Sequence, residues 1–425
     1  MYAQSVLPNG LKVITIRMPD RASVSCAVWV RAGARFESQK ISGIFHFLEH
    51  MLFKGTKKRN ARQIKEEVEG VGGILNAFTS EECTCYFAKI LKAYLPNALD
   101  VLADMVNHAA LPMEEFKKEK TVILEEIKMY RDLPNHHVHD LMGELLWPDQ
   151  PLGRPIAGTI ESVSKLSRKE MMRYKQKYYH PQDMVVSVAG PVHHNSIVDQ
   201  CRHLFPVVDK RPKSLFEKSN SRQRSPRTLF VEKPTEQTHF VIGMHGLSRL
   251  HPDRYKLGLL NVILGANMSS RLFEEIREKR GLAYDVKSNV NFFEDTGSFI
   301  ISAGVEVKRV RTAIRLILKE LAKFRKHFVR PGELRRAKDY FMSQLAMTME
   351  DTLDHLLWTC ERSVYREELP DRDKIRESVE AVTVSDIQSV AKNLFKTANL
   401  NLSLIGPIPS KIQNRIKGDF EIEGT

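Results

Sequence analysis

Residues 44–53 of this 425-residue chain read IFHFLEHMLF, in which two histidines and a glutamate interrupt a run of apolar side chains. The good helix formers before Gly55 predict a helix, so His46 and His50, at positions i and i+4, would project from one face, as two ligands of one metal ion must. Glu49 would lie beside them. This arrangement fits a zinc hydrolase, in which two imidazoles hold the metal and a carboxylate that is not a ligand takes a proton from water. The order inverts the commoner His-Glu-x-x-His motif.

The motif has a second interpretation. A five-residue match in a chain with 15 histidines can arise by chance, and the segment would then be a core helix whose two histidines are hydrogen-bonded within the protein. A zinc site needs at least one further protein ligand besides the two imidazoles. The interpretation as a metal site therefore depends on a third donor from elsewhere in the chain.

Residues 119–130 have the pattern of a helix and contain candidates for this third donor. The apolar stripe of the helix consists of Phe116, Ile123, Ile127 and Tyr130. Glu119 and Glu126 fall on or beside that stripe, whereas Glu125 lies about 100° away around the helix. A carboxylate that faces a core is costly unless it is paired or bound to a metal. Either the two acids form salt bridges at the edge of the helix, or Glu126 binds the metal with Glu119 in support.

Taken together, the motif and its surroundings resemble the inverted-motif zinc peptidases, the family that includes pitrilysin, insulin-degrading enzyme and the mitochondrial processing peptidase. Further matching stretches extend over nearly the whole chain: residues 7–10, 72–79 (GGILNAFT), 151–159 (PLGRPIAGT), 231–237 (VEKPTEQ) and 277–284 (REKRGLAY). The resemblance implies a zinc-dependent endopeptidase that binds one Zn²⁺ per chain.

The resemblance also implies roles for the acidic residues. In the family, the third ligand is a glutamate well downstream of the second histidine, at a spacing that falls on Glu126. A second glutamate one heptad earlier supports catalysis and matches Glu119. By this resemblance His46, His50 and Glu126 hold the zinc ion, while Glu49 and Glu119 act in catalysis.

The chain contains an internal repeat. Residues 74–106 and 290–321 each have the pattern strand, turn, strand, helix, with Asn76 opposite Asn291. In the second copy, residues 259–264 (LLNVIL) stand where the first copy has its histidines. Only the first copy can therefore hold the metal.

The segment between the two copies is rich in Pro, Ser, Lys and Arg and has the composition of a linker. We therefore predict an α+β fold with two homologous domains, each a mainly antiparallel sheet flanked by helices, that together make half of a clamshell. The predicted boundaries are residues 1–205 for the zinc-binding domain, 206–227 for the linker and 228–425 for the second domain.

The resemblance implies that a second chain is needed. In the family, four such repeats close like a clamshell, and the half that faces the zinc supplies an Arg and a Tyr, matched here by Arg277 and Tyr284, that bind substrate and stabilise the oxyanion. With two repeats per chain, the simplest expectation is a homodimer with two composite sites. A heterodimer with a homologous inactive partner is the alternative.

The substrate implied by the resemblance is a peptide or an unfolded polypeptide. In the family, the strand that matches residues 74–80 is an exposed edge to which substrate adds as a further strand, with Asn76 and Ala77 making main-chain contacts; such binding selects extended chains. Processing peptidases hold a substrate arginine with acidic residues whose positions fall on His136 and Asp140 here. Asp140 keeps one of these carboxylates, and His136 replaces the other. Asp140 is therefore a candidate substrate-binding residue.

A second group of histidines, His136, His137 and His139, comes close to Asp140 in the sequence. Histidines this crowded can bind metal adventitiously. After Pro134 and Asn135, however, we expect them to lie in a turn without fixed geometry, and therefore not to form a second metal site.

Composition leaves two other classes of function to consider. The formal net charge of +13 is compatible with nucleic-acid binding, but the basic clusters are dispersed and no recognisable nucleic-acid module accompanies them, so we expect no such partner. A non-catalytic structural relative of the processing peptidases, as found in respiratory complexes, is the other class. Such relatives typically lose part of the zinc set, which is complete here.

The sequence also bears on the compartment. The five cysteines are odd in number and scattered, which favours reduced thiols over a disulfide framework. The first ten residues lack the basic start and apolar core of a signal peptide, and no window approaches the length of an apolar membrane span. We therefore expect a cytoplasmic protein.

Overall fold

The computed structural model describes residues 2–205, 212, 214–365 and 368–423. Its strands are β1 (Tyr2–Val6), β2 (Lys12–Arg17), β3 (Ser23–Val30), β4 (Ile74–Thr79), β5 (Thr84–Leu91), β6 (Met184–Gly190), β7 (Arg227–Glu232), β8 (Thr238–His245), β9 (Ala283–Phe292), β10 (Gly297–Val305) and β11 (Asn401–Gly406). Its α-helices are α1 (Ile44–Leu52), α2 (Ala61–Glu69), α3 (Leu95–His108), α4 (Met113–Asp132), α5 (Pro134–Leu146), α6 (Ile160–Lys165), α7 (Arg168–Tyr178), α8 (His194–Leu204), α9 (Arg254–Leu264), α10 (Val310–Lys326), α11 (Pro331–Thr348), α12 (Thr352–Ser363), α13 (Arg372–Glu380), α14 (Val384–Leu394) and α15 (Ser410–Asp419). None of the described helices is long and apolar enough to cross a lipid bilayer.

The described chain forms two compact units. Unit 1 comprises residues 1–128, 154–217 and 346–370, and unit 2 comprises residues 129–153, 218–345 and 371–425. Unit 1 contains a six-stranded sheet with the order β1-β2-β6-β3-β5-β4, and unit 2 contains a five-stranded sheet with the order β7-β11-β8-β10-β9. Neighbouring strands are antiparallel except for the pairs β2–β6 and β7–β11. The predicted α+β class with mainly antiparallel sheets is confirmed.

In unit 1, helices cover both faces of the sheet. On one face, α1, α3 and α8 pack against the strands, where Val28 and Tyr86 belong to the same apolar cluster as Phe47 of α1. On the other face, Trp29 of β3 packs in a cluster with Leu356 of α12. A sheet with apolar side chains on both faces needs a cover on each, because exposed apolar area costs about 25 cal/mol per Å².

In unit 2, α5 packs against β8 and β11 on one face of the sheet. Its Val138 and Leu141 are buried in a cluster with Val241 and Ile405. Helix α9 packs against β9, and α14 packs against both α9 and α10. Each unit therefore includes a helix from the opposite half of the chain, α12 in unit 1 and α5 in unit 2.

The amino-acid composition along the chain gave no sign that each unit includes a helix from the opposite half. The division into residues 1–205, 206–227 and 228–425 stays a prediction about sequence domains, and it follows the strands of the two sheets rather than the helices that cover them. In the predicted linker, residues 206–211 and 213 lie outside the described residues. Later in that segment, Phe216 packs on Phe36 in unit 1, whereas the Ser219 amide donates to Asp295 in unit 2.

The internal repeat is visible in the two hairpins. β4 and β5 are followed by α3, and β9 and β10 are followed by α10, which is the predicted order of strand, turn, strand and helix. The last pairs of the hairpins are Thr79 with Thr84 and Phe292 with Gly297. Matching the two turns brings Asn76 opposite Asn289, so the sequence-based match with Asn291 was wrong by two residues. A shift of two keeps the side chain on the same face of the strand, so the apolar pattern alone could not reveal it.

Candidate metal centre

The helix α1 is fixed at its start by a buried carboxylate. Glu37 Oε2 accepts a hydrogen bond from the Gly43 amide at 2.7 Å, and Oε1 accepts one from the Phe45 amide at 2.9 Å. Burial raises the pKa of Glu37 to about 8, although these backbone hydrogen bonds oppose the shift. Gly43 has φ +91°, and a Cβ atom there would lie 2.5 Å from the carbonyl oxygen of Ala157. Only glycine fits at this position, so the helix begins at a defined point and its phase is set.

Three predicted ligands, all half-buried, come together beside this helix. His46 Nε2 lies 3.9 Å from Glu126 Oε1, and His50 Nε2 lies 3.8 Å from Glu126 Oε2. One donor atom from each residue lies within 4.8 Å of the others, and this is the single such group of His, Cys, Asp or Glu among the described residues. Donor atoms of one tetrahedral zinc ion lie roughly 3.3 Å apart, so the group is close to the spacing that the metal needs.

Glu125 and Glu126, adjacent on α4, have different surroundings. Glu125 is exposed and pairs with Lys128 at 2.7 Å on the outer side of α4. Glu126 is half-buried on the inner side, and its Oε2 atom is buried without a hydrogen-bond partner among the described residues. A buried carboxylate oxygen without a partner is costly, and a metal ion would satisfy it. The residues present therefore fit a zinc ion.

Glu119 and Lys54 support His50 on the side of its ring away from Glu126. His50 Nδ1 lies 2.8 Å from Glu119 Oε1, and Lys54 Nζ lies 2.5 Å from Glu119 Oε2. Burial raises the pKa of Glu119, but the hydrogen bonds from His50 and Lys54 outweigh it and leave the pKa lowered. An ionised Glu119 accepts a hydrogen bond from Nδ1–H of His50. In this tautomer, Nε2 of His50 has a lone pair that can bind a metal.

The two imidazoles differ in their electrostatics. Burial, together with the charge of His50, lowers the pKa of His46 to about 4, so His46 is neutral at physiological pH. Burial also lowers the pKa of His50, but the hydrogen bond with Glu119 and the charge of Glu126 outweigh it, so the net shift is upward. Burial raises the pKa of Glu126. A divalent cation would stabilise the deprotonated form of all three groups.

Glu49 lies on the same helix and is held from the sheet. Thr79 Oγ1, at the end of β4, donates a hydrogen bond to Glu49 Oε2 at 2.6 Å. Burial raises the pKa of Glu49, and the hydrogen bond from Thr79 opposes this shift. A carboxylate with a raised pKa beside a metal group suits a general base.

The proposed peptide-binding strand is an edge of its sheet. β4 pairs with β5 and has no second neighbour in the described sheet. Asn76 is exposed, and its Oδ1 atom accepts a hydrogen bond from the amide of Ala77 at 2.8 Å. The Ala77 amide is thus occupied by a side chain rather than by a neighbouring strand.

The remaining predicted residues belong to unit 2. Arg277 lies on a π-helical turn, Phe273–Glu278, a conformation often found at functional sites. Its guanidinium group lies over the rings of Phe273 and Tyr284, at 4.6 and 4.7 Å. Tyr284 is 78% exposed at the start of β9. Both residues line a cavity of about 350 Å³ together with Arg309.

Asp140 and the crowded histidines lie in α5. The prediction that His136, His137 and His139 lie in a turn was wrong, because Pro134 occupies the first turn of a helix, where its missing amide proton costs nothing. Burial and the charge of Glu144 raise the pKa of Asp140 to about 6. The histidines form no metal-binding group with other described residues.

Three residues of the site were missed by the sequence analysis: Glu37, Lys54 and Thr79. Lys54 follows His50 by four residues, so helical periodicity was a signal for Lys54. Thr79 shares a strand face with Ala77, which links it to the proposed peptide-binding strand but not to Glu49. Glu37 carried no such signal, because a 3-10 turn at Gln39–Ile41 separates it from α1 and breaks the helical register.

Two family models match the chain. Residues 12–160 match the model described as insulinase (peptidase family M16), and residues 165–341 match the model described as peptidase M16 inactive domain. A protein named an uncharacterized zinc protease from Streptomyces coelicolor is 36% identical in an alignment that covers 97% of this chain and 91% of that protein. Another of the same description, from Bacillus subtilis, is 36% identical over 407 residues, which cover 96% and 98%.

Solved structures show the same fold. A protease from Helicobacter pylori superposes with a TM-score of 0.88 at 23% identity and covers 95% of this chain and 99% of that one. A structure from Pseudomonas fluorescens, described as a peptidase M16 inactive domain, has a TM-score of 0.89 at 19% identity and covers 96% of this chain and 98% of the other. At these identities the likeness concerns the fold alone.

Proposed function

This chain belongs to peptidase family M16, the insulinase family, and from that membership we propose that it is a zinc-dependent endopeptidase. Its substrates are extended peptides or unstructured segments of proteins. The observation that carries the proposal is the group formed by His46, His50 and Glu126, with Glu49 beside it on α1. Homologues named as zinc proteases agree with this reading of the site.

The proposed metal is one Zn²⁺ per chain. His46, His50 and Glu126 would hold it, and zinc would supply Lewis acidity, which activates water and polarises a peptide carbonyl. Glu119 and Lys54 keep His50 in the tautomer that can bind a metal, because the Nδ1 proton is engaged with the carboxylate.

Glu49 is the proposed general base. Its carboxylate would take the proton of the attacking water and deliver it to the amine that leaves when the C–N bond breaks. Glu119 does not face a reacting atom in this scheme and acts through His50 instead, so its role is positioning. Oε1 of Glu49 is the proposed proton acceptor, because Oε2 accepts the hydrogen bond from Thr79.

Recognition would use the edge of the first sheet. A peptide that adds to β4 would hydrogen-bond to the main chain at Asn76 and Ala77, which requires an unfolded segment and places few demands on its side chains. Asp140, half-buried on α5, is proposed as an additional substrate-binding residue.

Arg277 and Tyr284 are proposed to bind substrate and to stabilise the negative charge that develops on the carbonyl oxygen. The guanidinium group makes no hydrogen bond with the described residues, and its nearest carboxylate oxygen, in Glu278, lies 3.8 Å away. We propose that these two residues serve the zinc group of a second subunit, in a homodimer with two composite sites. A heterodimer with a homologous inactive subunit is the other possible assembly.

A non-catalytic structural relative is the alternative function. Residues 165–341 match a model described as an inactive domain, which agrees with the absence of histidines from α9. The first half retains both histidines and all three glutamates of the predicted zinc set, Glu49, Glu119 and Glu126, which favours catalysis. The proposed location is the cytoplasm, in keeping with five buried cysteines that are not in disulfide bonds.

The test is hydrolysis of an unfolded polypeptide by the purified, zinc-loaded chain, compared with its Glu49→Gln variant. We expect the variant to retain zinc and to lose turnover by a factor on the order of 100 to 10,000, the usual contribution of a general base. Loss of zinc together with turnover would contradict the role of Glu49. A zinc-loaded wild-type chain that cleaves no unfolded polypeptide, alone or with a homologous partner, would refute the proposed function.

A further inference from the structure

The inner face of β4 carries a hydroxyl group directly behind the proposed base. Side chains alternate along a strand, so Leu75, Ala77 and Thr79 share one face. Leu75 belongs to the same apolar cluster as Phe47 of α1, which shows that this face is turned toward the metal-binding helix. Thr79 is therefore the polar end of an otherwise apolar strand face.

The position of Thr79 is tightly defined. It forms the last pair of the hairpin with Thr84, and the turn that follows is closed by a hydrogen bond from the Ser80 amide to the carbonyl of Cys83 at 2.8 Å. A β-branched side chain at such a position has few rotamers, so its hydroxyl direction is nearly fixed. A flexible glutamate that bonds to this hydroxyl is fixed with it.

The hydrogen bond from Thr79 Oγ1 to Glu49 Oε2, at 2.6 Å, has the short length of a bond to an ionised acceptor. It occupies one carboxylate oxygen and leaves Oε1 for a proton. Without it, Glu49 would recover freedom about its three side-chain torsions, and only part of the population would present an oxygen to the reacting water.

We propose that Thr79 is a positioning residue for the general base: its hydroxyl fixes the Glu49 carboxylate so that Oε1 faces the attacking water. This inference rests on the proposed function. Because β4 is also the strand proposed to receive the peptide, substrate binding and the orientation of the base depend on the same short segment.

The experiment compares Thr79→Val, which keeps the shape and removes the hydroxyl, with Thr79→Ser, which keeps the hydroxyl and removes a methyl group. For Thr79→Val we expect kcat to fall by a factor on the order of 10 to 100, KM to change little, and zinc content to stay at one ion per chain. Thr79→Ser should recover most of the lost turnover. Crystal structures of both metal-free variants should show the Glu49 carboxylate displaced in Thr79→Val and retained in Thr79→Ser.

Several outcomes would overturn the proposal. The first is an unchanged kcat in Thr79→Val. The second is an equal loss of turnover in both variants, and the third is a loss of zinc together with turnover. The last two would show that the effect comes from altered packing and not from the missing hydroxyl group. If the zinc-loaded wild-type chain proves inactive, the proposed function fails. The position of the Glu49 carboxylate in the metal-free crystals still decides whether Thr79 holds it.

Discussion

The ammonium nitrogen of Lys54 lies 2.5 Å from Oε2 of Glu119. Lys54 comes four residues after His50, the second histidine of the motif. This contact secures the carboxylate that in turn bonds to Nδ1 of His50. A group that hydrogen-bonds to a metal ligand, as Glu119 does to His50, orients that ligand, and its loss typically weakens metal binding by 10- to 100-fold. Helix α1 thus places His46 and His50. Lys54, just after the helix, secures Glu119, which holds His50 in position.

We expect Lys54→Met to weaken zinc binding by roughly tenfold, because Glu119 would lose the charge that keeps it ionised and in place. The measurement is zinc affinity by competition with a chelator. Lys57→Met, at an exposed neighbouring position, is the matched control and should bind zinc like the wild type. Equal affinity in the Lys54 and Lys57 variants would show that the contact has no influence on the metal.

The two adjacent glutamates of α4 should behave differently on substitution. Glu126→Gln should lower zinc content sharply, because an amide oxygen carries no charge and binds zinc poorly. Glu125→Gln should retain zinc, since Glu125 is exposed and pairs with Lys128. Metal analysis after extensive dialysis distinguishes them, and the reverse result would mean that α4 presents the other face to the site.

A composite site predicts complementation between two inactive variants. Glu49→Gln lacks the base and Arg277→Ala lacks the proposed oxyanion residue, but one of the two sites in a mixed dimer would be intact. Random exchange of subunits should restore roughly one quarter of the wild-type activity. Activity measured after mixing, with size exclusion to determine the assembly, checks this. A fully active monomer would rule out the composite site.

The edge strand β4 can be blocked without changing its side-chain faces. Ala77→Pro removes the amide that bonds to the side chain of Asn76. Proline is tolerated at strand edges where no ladder hydrogen bond is lost. We expect a higher KM for peptides at unchanged zinc content, whereas Ala77→Ser, which keeps the amide, should retain the wild-type KM. A KM unaffected by proline would exclude strand addition at this position.

Lys175 on α7 gives a prediction about pH. Burial lowers its pKa to about 8, although Nζ donates to the carbonyl of Asn107 at 3.1 Å. The unfolded chain, with the ordinary pKa near 10.5, binds more protons between pH 8 and 10.5, so this residue makes stability rise with pH in that window and imposes its full cost below it. Lys175→Met should stabilise the protein at pH 7 by about 1–2 kcal/mol and remove this rise. Denaturant unfolding at pH 7 and pH 10 measures both effects, and a variant less stable at pH 7 would contradict the sign.

The sequence by itself determined the features that depend on local periodicity. The spacing of His46, Glu49 and His50 fixes their common side of a helix whatever that helix packs against, because the helical repeat is set by the backbone. The repeated order of strand, turn, strand and helix followed in the same way, as did the absence of histidines from residues 259–264. The helical pattern placed Glu126, and not Glu125, beside the apolar stripe of α4, and the resemblance then selected Glu126 as the third ligand.

Only the tertiary structure decided which distant groups meet. Thr79 and Glu49 are separated by 30 residues, and Glu119 and His50 by 69, so their contacts depend on how a strand edge and a second helix pack against α1. The exchange of α5 and α12 between the two units has the same origin. Each sheet has a second apolar face that must be covered, and burial of apolar area is non-directional, so it does not specify which part of the chain provides the cover.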